Sequence, residues 1–110
     1  MPNGIDKNWY RMCSAINSFR MRFGHWPTRI RLSEGALENL FSQESYRVLL
    51  SKLEFIFDGS AFIAEDDQGR SHNYAQDGFV KGELEITAQD WLGVEPDSAM
   101  VREYYGREDE

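Results

Sequence analysis

Cys13, His25, His72 and the acidic run Glu65-Asp66-Asp67 are the residues whose types could hold a metal or carry nucleophilic and acid–base chemistry. Zinc sites usually draw paired ligands at short spacing, and the chain contains neither a Cys-x-x-Cys nor a His-x-x-x-His. A calcium loop sets acidic or amide ligands at alternate positions ahead of its glycine, and the residues there before Gly69 are Ala64, Asp66 and Gln68. No metal is expected. Cys13 with His25 or His72 could form a nucleophile and base, but Cys13 falls within an apolar helical stripe, where a lone thiol packs as a small inert hydrophobe. None of the serines sits in a Gly-x-Ser-x-Gly elbow. Glu83 and Glu85 share one face of a short strand and read as a charged, soluble edge rather than as a glycosidase pair held in a cleft. Neither Gly-x-Gly-x-x-Gly nor the Walker pattern occurs, so no nucleotide cofactor is expected.

The strongest surface feature is a cluster of cations, Arg20, Arg22, His25, Arg29 and Arg31, gathered where the run Phe23-Gly24-His25-Trp26-Pro27-Thr28 joins a helix to a strand. Gly24 can adopt the left-handed conformation that closes a helix, Pro27 cannot continue one, and Trp26, ahead of the proline, is pushed to extended geometry. Such a cluster can meet phosphates, with Trp26 as a stacking surface, or carboxylates of this chain or of a partner. The chain's acidity favours carboxylates. Trp26 is expected to be largely buried as the anchor of the junction.

The elements that would position these groups follow from apolar spacing. From Asp6, a candidate N-cap, the residues Trp9, Met12, Cys13, Ile16, Phe19 and Phe23 trace one face of a helix, with Asn8, Arg11, Ser18 and Arg22 on a solvated side. Residues 28–32 alternate as a half-buried strand with Arg29 and Arg31 outward. Ser33 is placed to cap a second helix carrying Ala36, Leu37, Leu40 and Phe41, and after an interruption at residues 42–45 a third helix carries Tyr46, Leu49, Leu50 and Leu53. Residues 53–57, a turn at Asp58-Gly59, residues 61–65, a second turn at residues 66–69 and residues 70–74 read as a three-stranded antiparallel meander. Leu84 and Ile86 alternate with Glu83 and Glu85 in a further short strand, Thr87 opens a capping box before Trp91 and Leu92, and a last helix starts at Pro96 and closes at Gly106. The fold class predicted is α+β, with helices packed on one face of an antiparallel sheet of about four to five strands.

At 110 residues the chain reads as one domain, residues 1–110, with residues 107–110 as a flexible acidic tail. Its net charge of −7 is unevenly spread, residues 1–32 carrying +5 and residues 33–110 carrying −12. Overall acidity disfavours generic attachment to nucleic acid or to an anionic membrane. No apolar run approaches the length of a membrane span and no signal segment is evident at the start, so a cytoplasmic protein is expected, in keeping with the single cysteine. The function expected is binding of another macromolecule without catalysis, through a charge-polarised surface, with a protein partner or a second copy contacting Arg20, Arg22, His25, Arg29 and Arg31. Two alternatives stand beside it, a nucleic-acid-associated module using the same basic face and a small enzyme with a site near His72 and Tyr74 that draws on Asp67.

Overall fold

The first helix, α1 (Ile5–Phe23), ends where the sequence says it should: Gly24 has φ 81° and its N–H donates to Arg20 O at 2.9 Å. The computed structural model describes residues 5–37, 41–78 and 80–94. Within them α1 is followed by β1 (Arg29–Leu32), α2 (Gln43–Lys52), β2 (Glu54–Phe57), β3 (Ile63–Glu65), β4 (Ser71–Asn73), α3 (Tyr74–Asp77) and α4 (Ala88–Leu92). The fold is α+β, as predicted, but the sheet is mixed, with strand order β2-β1-β3-β4. The helix predicted for residues 96–106 and the tail lie outside the described residues.

β1 is an inner strand, between β2 and β3. It runs parallel to β2, Arg29 facing Glu54 and Leu32 facing Phe57, and antiparallel to β3, Arg29 facing Glu65 and Arg31 facing Ile63. β3 and β4 form the expected hairpin. The expected pairing of β2 with β3 does not form, because the turn at residues 58–62 carries the chain across the end of β1 to its far side. Asp58 Oδ1 accepts from Ser60 N, Ser33 Oγ donates to Ser60 O, and Phe62, left-handed at φ 59°, is anchored by burial of its side chain. An aspartate and a glycine mark a turn but do not say which strands will pair. Inserting β1 sets Arg29 between Glu54 of β2 and Glu65 of β3, an opposite-charge pairing that a direct β2–β3 hairpin would lack. Parallel pairing of β1 with β2 needs a crossover, and α2 supplies it.

Of the helix expected before α2, residues 34–37 instead form a turn in which Ala36 N donates to Ser33 O, and residues 38–40 lie outside the described residues. Ala36 and Leu37 are nonetheless buried as expected. Ser42, which the sequence reading places in an interruption, is the N-cap of α2 and accepts from Ser45 N at 3.2 Å. The strand expected around Leu84 and Ile86 is also absent. Residues 80–87 form a strap along α1, with Val80 N donating to Ser18 Oγ and Ala88 N to Asn17 Oδ1, and with Gly82 against the Met21 side chain. Ser18, expected on the wet side of α1, is fully buried by this strap, and Asn8 donates to Ala36 O. Thr87 caps α4 as predicted, its oxygen accepting from Asp90 N.

The core lies between α1 and one face of the sheet. Trp9, Met12, Cys13, Ile16 and Phe19 from the helix meet Ile30, Leu32 and Ala64 from the strands, joined by Leu49, Leu53 and Leu92. Cys13 is buried among them as predicted, and burial pushes its thiol up to about 12. By strand register Phe55, Phe57 and His72 share this inner face, while Arg29, Arg31, Glu54 and Glu65 stand on the other.

Candidate functional site

The five predicted contact cations are brought to one end of α1 and the outer sheet face, and each is engaged by the chain itself. Arg29 reaches Glu54, Glu65, Asp67 and the Asp66 carbonyl, and Arg31 reaches Asp58 at 2.9 Å and Glu65 at 3.0 Å. Burial pulls the Arg29 guanidinium down, but the bonds to Glu54 and Asp67 and the charge of Glu65 outweigh it, so its pKa stands raised. Arg31 is raised by its bonds to Asp58 and Glu65. In return the Ser60 and Arg31 bonds hold Asp58 at about 2.

Nearer the helix end, Arg20 donates to Gly24 O and its guanidinium lies over Trp26, 5.4 Å from the ring centroid. Trp26 is half-buried rather than enclosed, and it stacks on Trp91 with centroids 4.6 Å apart and planes 4° apart. Arg22 donates to His72 Nδ1 at 3.1 Å and lies 3.6 Å from Asp77. His25 Nε2 meets Asp66 Oδ2 at 2.7 Å. Desolvation of Asp66 works against its ionisation, yet the His25 bond and the backbone N–H groups of Arg70 and Gln68 prevail and hold its carboxyl at about 2.

His72, Tyr74 and Asp67 do not assemble. His72 is fully buried, with Nε2 donating to Gly78 O at 2.7 Å while Nδ1 accepts from Arg22. Asp67 is held by Arg29, and Tyr74 lines an open pocket of about 400 Å³ with Lys7, Tyr10 and Arg11. Among the described residues no three His, Cys, Asp or Glu side chains converge as metal ligands.

The feature that sequence reasoning missed is the edge formed by α2 and β2. Phe57 on β2 is 43% exposed and Leu50 on α2 is 45% exposed, while Val48, on the other flank of the helix, lines a groove with Gln89, Asp90 and Val94 of the α4 side. Glu54 N and Asp58 N donate to Thr28 O and Leu32 O of the β1 side, so alternation along β2 turns the N–H and C=O of Phe55 and Phe57 to the open edge. The opposite edge is different. Tyr74 N donates to Phe62 O, which turns the Asn73 N–H outward, and there Asp77 Oδ2 accepts it at 2.8 Å. Among the described residues one sheet edge thus carries a capping carboxylate and the other is apolar and without a partner. The signal in the sequence was Phe55-Ile56-Phe57, apolar on both strand faces where a soluble edge would alternate with charge.

No helix among the described residues is long and apolar enough to cross a membrane. Compared with known protein families, with curated proteins and with solved structures, the chain matches none.

Proposed function

We propose that the chain is a protein-binding domain that works without catalysis and makes its contact through the α2–β2 edge. The observation that carries this reading is the edge of β2, where the outward backbone of Phe55 and Phe57 has no strand partner among the described residues and the Phe57 ring is exposed. An apolar edge of this kind is a template for another strand and is costly to leave in water. The charged surface supports a structural role for most of the cations, since Arg22, His25, Arg29 and Arg31 answer acidic groups of the same chain. Catalysis at His72 has little support because both ring nitrogens already have partners. The lone thiol Cys13 suits a reducing, cytoplasmic setting.

A photoreactive amino acid placed at Leu50, at Phe57 or, as a control, at Glu83 tests the reading in living cells. Discrete protein adducts are expected from Leu50 and Phe57 and not from Glu83. Equal labelling at all three positions, or none at any, contradicts the reading.

A further inference from the structure

Resting on that reading, we infer that the occupant of the β2 edge is the β2 strand of a second copy, paired antiparallel about a two-fold axis with Phe55 opposite its own counterpart. Two features of the edge point there. A two-fold perpendicular to the sheet keeps the helices of both copies on one side, so only registers that pair residues of the same face are allowed. The outward groups of Phe55 and Phe57 then form the hydrogen-bonded positions of the new ladder, and β1 keeps its own bonds to Glu54 and Asp58 undisturbed.

Charge chooses between the two central registers. Setting Ile56 on the axis places Glu54 opposite Asp58 of the second copy, twice, which is a like-charge pairing across strands. Setting Phe55 on the axis places Glu54 opposite Ile56 and brings Lys52, exposed at the end of α2, beside Asp58 of the second copy. On the inner face Phe57 then meets Leu53, extending the apolar surface from one copy to the other. The result is an eight-stranded sheet whose outer edges are the two β4 strands, each closed by Asp77. The edge exposed in one copy is the edge removed in two.

Sedimentation equilibrium of the full chain over micromolar concentrations tests this, with thermal unfolding run on each variant. The wild type is expected to show twice the chain mass. Lys52→Glu, at an exposed position, is expected to weaken the dimer about tenfold by turning two symmetric attractions into repulsions. Phe57→Pro removes the outward N–H from the ladder together with the ring that packs on Phe55, and is expected to give a folded monomer with a modestly lowered Tm. If Phe57→Pro does not fold, Lys52→Glu decides alone. A wild type that stays monomeric overturns the inference, while adducts to a different protein at Phe57 would leave the binding reading standing. A dimer indifferent to Lys52→Glu overturns it as well, because the Phe55-centred register requires that response.

Discussion

His25 Nε2 and Asp66 Oδ2 lie 2.7 Å apart across the junction between α1 and β1 and the turn between β3 and β4. His25 Nδ1 also approaches Phe23 O at 3.1 Å, so both ring nitrogens face oxygen atoms of the chain. The same carboxylate takes the N–H groups of Gln68 and Arg70, and its side chain is 4% exposed. One aspartate therefore ties the hairpin turn to the end of the first helix, which is what holds Arg29 over Asp67.

Acid should loosen the fold through this tie. Asp66 and Asp58 are both held at about 2, below the ordinary 3.8, so their ionised forms are bound more firmly in the folded chain than in the unfolded one. Their contribution is complete above the unfolded value and is lost as pH falls from about 4 through 2. Urea midpoints should hold down to about pH 4 and drop below it, and Asp66→Asn should flatten that drop. A wild-type and variant profile of identical shape contradicts the assignment.

Cys13 should resist thiol reagents in the folded protein, its thiol pushed up to about 12 by burial against Met12 and Ile16. Labelling is expected at the rate of unfolding, and fast modification of the native protein contradicts the helix register.

The Trp26–Trp91 stack should be visible as an exciton couplet in far-ultraviolet circular dichroism, since two indoles with centroids 4.6 Å apart couple strongly. Trp91→Ala is expected to abolish the couplet, and Trp26→Ala, at a half-buried position, to cost about 1 to 2 kcal/mol in denaturant unfolding. Retention of the couplet after either change contradicts the stack.

The strap over α1 rests on Ser18, whose buried hydroxyl accepts from Val80 N at 3.1 Å. Ser18→Ala leaves that N–H without its partner and is expected to cost about 1 to 2 kcal/mol. Faster amide exchange at Val80 is the measurement that reports it.

Local signals were the legible ones. Gly24 and Pro27 mark the end of α1, alternation from Arg29 to Leu32 places two arginines outward, and Thr87 announces α4. Partner choice was not legible, because Asp58-Gly59 specifies a bend while the decision to cross β1 rests on Ser33, Phe62 and the carboxylates that Arg29 and Arg31 require on both sides. Ser18 was misplaced for a related reason: a helix surface looks wet in sequence until a distant strap covers it. The five cations are divided between the end of α1 and the outer sheet face, and the acidic partners that engage Arg29 and Arg31 come from strands whose neighbours only the tertiary fold determines. The open edge was overlooked because an exposed phenylalanine and a buried one are the same letter.

The central claim is that the β2 edge is the binding surface, and amide exchange at Phe55 and Phe57 reads that edge directly. Their N–H groups point away from β1, so in the isolated chain they should exchange quickly, while the amides of Glu54 and Asp58, bonded to β1, exchange slowly. In the complex reported by cross-linking at Phe57, whether with a second copy or with another protein, the Phe55 and Phe57 amides should become protected to the level of their inward neighbours. Exchange at these two amides that is as fast in the complex as in the isolated chain would contradict the account.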